Sequence, residues 1–433
     1  MKGKFLSRFI LIAFTYFFGI AFILPAQASE VKLADNYSEK AFMDFVVQLD
    51  LANKSTANNN IIFDLSPSLT PQQKKMITED VKISGKFWSS QLNDIKILVL
   101  GSTTQDFPTL AGKLNGILTP LSLSGGWVEK KGEIAAREPN SFNGGMAAGY
   151  SKTGQSVIGV YLPLNQNLYN GGILQITSHE FTHIVQREIL QGNMSPMQCW
   201  VREGQAQYIG WHMSGRNSKA AFANYWVEML SMLNAEMGYR DVTNFTAEDF
   251  TQWFIDNKLR SMVRDCDGIE NYIYGALGYE VLYGSYGSKA VDKYFANLLL
   301  AKESCADGSN QTIPACREAT GEAFSKAFGI SEGEFYKLAG EHIFQTFLWA
   351  SKMPRFSETA APKIAGLPFE QPSLSVNSAS LLIATPTITQ TIPAKVKTTT
   401  GKSTPTIKVS AAPKVEKIIT RYYFGNKFGS LSN

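Results

Sequence analysis

Cysteine and histidine are scarce in this sequence, and each occurs only four times in 433 residues. Four cysteines cannot be the main scaffold of so long a chain, which excludes a disulfide-dominated protein. Charged residues make up only 18% of the chain, and the 41 basic residues nearly balance the 37 acidic ones, which does not indicate a dedicated nucleic-acid-binding protein. With 44% hydrophobic residues, the chain can instead bury a sizeable core, and its length predicts about two or three domains.

Long apolar runs are also missing, apart from one near the N-terminus. A basic start at residues 2–8 precedes an apolar run of about 16 residues, and Ala-Gln-Ala at 26–28 has the small-x-small pattern of a signal-peptidase site. The run is shorter than the roughly 20 residues of a membrane span, although an uncleaved anchor is the alternative. We therefore predict a signal peptide over residues 1–28, cleaved after Ala28, and a secreted or cell-surface protein.

Export changes the interpretation of the cysteines, because an oxidising compartment permits disulfides. Four cysteines allow three pairings. We favour Cys305–Cys316, which brackets a short polar loop, together with Cys199–Cys266. A zinc site built from these residues is disfavoured because the sequence contains no Cys-x-x-Cys spacing.

Composition divides the mature chain into three further parts. Residues 29–70 form an N-terminal segment, and residues 71–352 form the main domain. Residues 353–433 predict a low-complexity tail rich in Thr, Pro and Lys, whose last 43 residues (391–433) carry eight basic residues and one acidic residue. Such a tail can make electrostatic contact with a cell wall or membrane surface, although charge runs are usually only solvated.

Hydrophobic periodicity predicts an α+β fold, with a small sheet followed by a mostly helical part. The predicted strands are 95–100, ended by Gly101, and 157–162. Turns and loops are expected at Gly125-Gly126 and Asn143-Gly144-Gly145. Helices are predicted at 39–51, 71–92, 174–190, 200–213, 218–235, 271–285, 289–302, 317–328 and 331–350.

The residues that indicate chemistry are His179-Glu180-Phe181-Thr182-His183. On a helix, positions i and i+4 share one face, so both imidazoles can reach one metal ion. Glu180 lies about 100° around the helix, beside the ion, where a general base acting on water is needed. Composition predicts only about 0.002 chance matches to this pattern. The alternative is a pair of ordinary core or surface histidines.

A third metal ligand is predicted at Glu203, since a catalytic zinc normally has three protein ligands. Glu203 follows His183 by twenty positions, in an apolar helical stretch, and the small residues Gly204 and Ala206 suggest close packing against the histidine helix. The alternative is a surface glutamate paired with Arg202.

His-Glu-x-x-His followed by Trp-x-x-Glu-Gly-x-Ala-x-Tyr at 200–208 resembles the gluzincin group of zinc metallopeptidases, within the peptidase MA-like families. The resemblance covers roughly residues 75–350. It implies a zincin-like fold with Zn²⁺ held by His179, His183 and Glu203, and with Glu180 as general base. It also implies a small twisted sheet whose edge strand binds the substrate backbone in extended form.

Further expectations follow from the same resemblance. Tyr272-Ile273-Tyr274-Gly275 resembles the Tyr-x-x-Gly pattern of the aminopeptidase-like branch, which implies Tyr272 as oxyanion stabiliser, with Tyr274 second and an aromatic core helix as the alternative. Where some gluzincins place an aspartate that orients a ligand histidine, this chain has Gln207, whose amide oxygen can accept an imidazole N–H. Ala147 replaces the acid of the family's Gly-x-Met-Glu-Asn segment, which favours an endopeptidase over an aminopeptidase.

The predicted function is therefore a secreted zinc endopeptidase that acts on peptides or proteins. The alternative is a catalytically degenerate zincin-fold binding module on the cell exterior. His212 and His342 are expected to be structural, and Tyr208 is expected to pack.

Overall fold

The computed structural model describes residues 37–55, 60–89, 91–92, 95–118, 144–149, 155–162, 170–216, 245–260, 266, 268–305 and 313–351. These residues all lie in one of the two compact units into which the chain divides. The predicted signal peptide, the predicted helix at 218–235, the glycine pair at 125–126 and the predicted tail lie outside the described residues.

The described part of the chain is α+β and mostly helical, with a small mixed sheet. The strands are β1 (Asn60–Leu65), β2 (Lys96–Thr103), β3 (Gly144–Ala148) and β4 (Ser156–Leu162). The helices are α1 (Tyr37–Lys54), α2 (Pro71–Phe87), α3 (Phe107–Leu118), α4 (Asn170–Ile189), α5 (Cys199–Ser214), α6 (Ala247–Arg260), α7 (Ile269–Ala301), α8 (Pro314–Phe328) and α9 (Glu332–Ser351).

The sheet has the strand order β1-β2-β4-β3. The pairs β1–β2 and β2–β4 are parallel, and β3 runs antiparallel to β4. The central strands β2 and β4 are covered on both faces, as their continuous apolar sequences predict. One face packs against α2 and α4 in the main core, and the other packs against α3 in a smaller core. Among the described strands, β3 therefore lies at an edge.

Two predictions about the strands were wrong. Gly101 does not end β2, which continues to Thr103 and pairs Gly101 with Leu65 and Val160. Gly144 and Gly145 are not a turn but the first residues of β3. Glycine is needed there because neighbouring side chains come too close for a Cβ: the ring of Tyr161 faces Gly144, and Glu180 faces Gly145. Close approach, and not turn formation, explains this glycine pair.

The start of α2 shows how local sequence determines a boundary. The Thr70 hydroxyl accepts the backbone N–H of Gln73, and the Gln73 side chain accepts the backbone N–H of Thr70, which completes a capping box before Pro71. The helix ends at Phe87, earlier than the predicted 92, because Trp88 leaves the helical conformation.

The N-terminal helix α1 belongs to the same core as the rest of the helices. Its Phe42 and Phe45 are buried in the main core, and Ser38 Oγ donates to Glu280 Oε2 on α7 over 2.6 Å. Helix α7 itself is kinked at Gly287, whose φ of 73° separates the two predicted segments 271–285 and 289–302. Asp44 of α1 accepts the backbone N–H of Ser288 just after this kink, over 3.2 Å.

Both predicted disulfides are confirmed. Cys199–Cys266 spans 67 residues and Cys305–Cys316 spans 11. The two bonds suggest an oxidising or extracellular environment. Within the described residues, no helix combines the length and apolarity that crossing a membrane requires.

Candidate metal centre

The histidine pair lies on α4, as its spacing predicts. The Nε2 atoms of His179 and His183 are 3.0 Å apart, and the two rings are nearly perpendicular. His179 is buried and His183 is slightly more exposed. Since i and i+4 share one helix face, both nitrogens point to the same place.

Glu203 comes from α5 and meets the pair from the neighbouring helix. Its Oε2 lies 3.5 Å from His179 Nε2 and 3.2 Å from His183 Nε2. Only 4% of Glu203 is exposed, so this is not the surface glutamate of the alternative interpretation. The three side chains form one group that could hold a metal ion.

The geometry of the group fits a small divalent cation. A tetrahedral ion with bonds of about 2.0–2.1 Å requires its ligand atoms to be about 3.3 Å apart. The three separations observed are 3.0, 3.2 and 3.5 Å. Two nitrogens and one carboxylate oxygen are a donor set that borderline cations such as zinc accept. The residues present therefore fit such an ion without rearrangement.

The charge of Glu203 suits a ligand. Burial alone would raise the pKa of its carboxyl group, but His183 and Arg202, together with hydrogen bonds from both histidines, hold that pKa well below its usual range. Arg202 Nε donates to Glu203 Oε1 over 2.8 Å, which leaves Oε2 directed at the histidines. Arg187, one turn beyond His183, adds a second cation nearby: burial and Arg202 lower its pKa to about 10, so it stays charged at neutral pH.

Glycines on α5 allow this helix to pack closely against both of its neighbours, α7 and α4. Gly204 lies against Gly275 of α7, so that a Cβ on either residue would overlap the other backbone. Gly210 lies against the backbone of Gln175 on α4, where a Cβ would be 2.9 Å from the carbonyl oxygen. The prediction that Gly204 packs against the histidine helix was therefore wrong. Gly204 allows α5 to approach α7, and Gly210 allows α5 to approach α4.

A disulfide holds the start of the same helix. Cys199 is the first residue of α5, and its partner Cys266 lies just before α7. The bond therefore links the helix that carries Glu203 to the helix that carries Tyr272.

The hydrogen bond to a ligand imidazole comes from Gln186 and not from Gln207. Gln186 Oε1 lies 2.9 Å from Nδ1 of His183. Gln207 is buried, and its amide nitrogen has no hydrogen-bond partner in the described part of the protein. The resemblance to gluzincins points to Gln207, because some members have an aspartate four residues after the third ligand. In this protein that is the wrong glutamine. Helical i+3 spacing from His183 would have pointed to Gln186.

Glu180 lies beside the edge strand. A Cβ on Gly145 would be 2.5 Å from Glu180 Cγ and 2.9 Å from its Oε1. Strand β3 therefore runs directly along the helix face that carries Glu180. The sequence signal for this contact is the glycine pair itself, although such a pair more often indicates a turn or loop.

The two candidate tyrosines differ in position. Tyr272 stacks on the ring of His179, with ring centroids 5.5 Å apart and planes inclined by 15°. Tyr272 is partly exposed, whereas Tyr274 is buried against Phe250, Trp253 and Phe347. Tyr272 is therefore at the candidate site, and Tyr274 belongs to the aromatic core.

The remaining histidines are away from the group. His212 is buried, and its Nδ1–H donates to the carbonyl of Tyr208 over 2.8 Å. His342 Nε2 lies 2.9 Å from Glu280 Oε2 inside the helical core. Tyr208 is buried and donates to the carbonyl of Ala41.

The structure thus brings together His179, His183 and Glu203, with Glu180 and Tyr272 beside them. Such an arrangement can hold a cation next to a carboxylate and an extended backbone. No family model, curated protein or solved structure matches the chain.

Proposed function

We propose that this chain is a secreted zinc-dependent endopeptidase of the gluzincin type, with a zincin-like fold. The observation that carries the proposal is the convergence of His179, His183 and Glu203 with Glu180 next to an edge strand. When bound, zinc would lower the pKa of a coordinated water toward about 7 and polarise the scissile carbonyl.

Glu180 acts as the general base. It is buried on the face of α4 next to the ligands but contributes no atom to the metal-binding group. Its carboxylate takes the proton of the attacking water and delivers it to the leaving amine. Its burial between α4 and β3 holds the carboxylate in place for both proton transfers.

Strand β3 supplies the substrate-binding edge. Among the described strands it has a neighbour on one side only, so an extended peptide can add to its other side through backbone hydrogen bonds. This addition brings a peptide bond alongside Glu180. Ala147 offers no charge that could pair with a free amino terminus, which favours cleavage within a chain.

Tyr272 stabilises the developing oxyanion. Its ring rests on His179, so its phenol belongs to the same site as the metal-binding group. A hydroxyl that donates to the carbonyl oxygen as negative charge grows there lowers the barrier of the attack.

The test is Glu180→Gln in the mature protein, with a casein or peptide-library assay and metal analysis. Loss of the general base should lower turnover about 100- to 10,000-fold while zinc binding is retained. Glu79→Gln on the exposed face of α2 is the matched control and should behave as the parent. Zinc binding by the parent without any hydrolysis would instead favour the degenerate binding module, and full turnover by Glu180→Gln would contradict the assigned role.

A further inference from the structure

We propose that Gln186 is a positioning residue that fixes the tautomer of His183, through a hydrogen-bonded relay that runs from α5 to the candidate metal centre. The inference rests on the proposed metal site, but it concerns ligand preparation and not hydrolysis. The relay consists of His183, Gln186, the Arg202 carbonyl, Gln205 and Tyr283.

The orientation of the Gln186 amide is determined by its partners. Gln186 Nε2 lies 2.9 Å from the Arg202 carbonyl oxygen and 3.0 Å from Gln205 Oε1. A peptide carbonyl can only accept a hydrogen bond, so the group that faces it must be the NH₂ of Gln186. The Gln186 oxygen is therefore the atom that faces His183.

The protonation of His183 follows from this orientation. Gln186 Oε1 is 2.9 Å from Nδ1 of His183 and can only accept, so Nδ1 carries the proton. A neutral imidazole has one N–H, which leaves a lone pair on Nε2. That lone pair points to the place where Nε2 of His179 and Oε2 of Glu203 converge.

The opposite tautomer is disfavoured by the same contacts. If Nε2 of His183 carried the proton, Nδ1 would need a donor, and the Gln186 amide would have to turn over. Its oxygen would then face the Arg202 carbonyl, and two acceptors would meet without a hydrogen in a buried place. The Arg202 carbonyl on α5 therefore disfavours the tautomer that has no lone pair on Nε2.

Gln205 strengthens this arrangement. Its Oε1 accepts from Gln186, and its own NH₂ lies 3.4 Å from the Tyr283 hydroxyl on α7. Gln186 and Gln205 are both almost fully buried, so water does not replace these bonds easily. The relay thus links the helix with the two histidines to the helix with Glu203.

The experiment compares zinc affinity, measured by competition with a chelator, in the parent and in three variants. Gln186→Met keeps the volume but cannot accept the N–H, and it should weaken zinc binding about 10- to 100-fold. Gln205→Met leaves the Arg202 carbonyl as partner and should cause a smaller loss. Gln207→Met is the matched control and should keep the parent affinity, because Gln207 is almost as buried as Gln186 but its amide nitrogen has no hydrogen-bond partner in the described part of the protein.

An NMR measurement on the parent protein tests the protonation of His183 directly, so this test does not depend on whether the variants fold. With Co²⁺ in place of zinc, the Nδ1–H proton of His183 should give a paramagnetically shifted NMR signal that exchanges slowly with solvent. Gln186→Met should accelerate its exchange, and Gln207→Met should not.

Three results would overturn the relay. The first is parent-like affinity in Gln186→Met, and the second is an equal loss in Gln186→Met and Gln207→Met, which would indicate general core damage. The third is rapid exchange of the His183 proton in the Co²⁺-loaded parent. Absence of zinc binding in the parent would refute the metal site itself, so failure of the proposed function is distinguishable from failure of the relay.

Discussion

Gly145 on the edge strand lies so close to Glu180 that a single methyl group would meet the side chain, 2.5 Å from its Cγ. No larger residue fits at this position while Glu180 keeps its rotamer. This contact, together with the contact between Gly144 and the Tyr161 ring, explains why β3 begins with two glycines.

Gly145→Ala is therefore expected to displace Glu180 without touching the metal ligands. Activity should fall about 100-fold, since a displacement of about 1 Å can cost that much, while zinc content stays the same. Activity and zinc content of the same preparation are the measurement. The control is Gly112→Ala on α3, where the new methyl group meets no atom within 4 Å. Parent-like activity of Gly145→Ala would mean that Glu180 tolerates movement or is not the base.

Tyr272→Phe and Tyr274→Phe separate the oxyanion role from aromatic packing. Loss of the Tyr272 hydroxyl should lower kcat about 100-fold with little change in KM, because it acts on charge that develops in the transition state. Tyr274 is buried in the aromatic core, so its variant should leave kcat unchanged. The measurement is steady-state kinetics of both variants and the parent. An equal kcat for Tyr272→Phe and the parent would show that the Tyr272 hydroxyl does not stabilise the oxyanion.

The two disulfides should differ in their effect on metal binding more than in their effect on stability. Chain-entropy arithmetic for loops of 67 and 11 residues predicts losses of about 4 and about 3 kcal/mol on removal. Only Cys199–Cys266 holds the start of α5, so replacing this pair by alanine should also weaken zinc binding. Denaturant unfolding and chelator competition on the two double variants test this. Equal zinc affinity in both would show that the Cys199–Cys266 bond does not position Glu203.

Protonation of His212 should lower the free energy of unfolding as the pH falls. Burial lowers its pKa to about 4, below the ordinary value of 6.5. The folded state holds His212 neutral, so its contribution to stability is complete above pH 6.5 and is lost as the pH falls toward 4. The loss should reach about 3 kcal/mol.

The measurement is the free energy of unfolding of the parent minus that of His212→Gln, from pH 4 to pH 8. The difference removes the opposing contribution of Asp80, whose pKa burial raises to about 7. Parallel curves for the two proteins would show that His212 is not held neutral.

Much of the candidate site could be predicted because its signals are local. His179 and His183 share a helix face through their spacing alone, and Glu203 was marked as an acid in an apolar helix. The cysteine pairs followed from compartment and loop length. The class of fold followed from apolar runs and helical periodicity.

The features that were missed depend on contacts between distant segments. The sequence pattern does not predict β1 or the helices α3 and α6. The glycines of β3 indicate a turn or loop because glycine has weak strand propensity. The pairing of β3 with β4 and its contact with Glu180 determine its conformation. Similarly, the resemblance directs attention to Gln207, four residues after Glu203, whereas the residue that contacts the imidazole is Gln186, on the histidine helix itself.

The most direct test of the account is the metal content of the mature protein, measured together with peptide cleavage before and after chelation. We expect about one zinc ion per chain. Cleavage should stop when the ion is removed and return when zinc is restored, and His183→Ala should lack both zinc and activity. A parent protein without bound metal, cleavage that a chelator leaves unchanged, or stoichiometric zinc in His183→Ala would contradict the proposed centre.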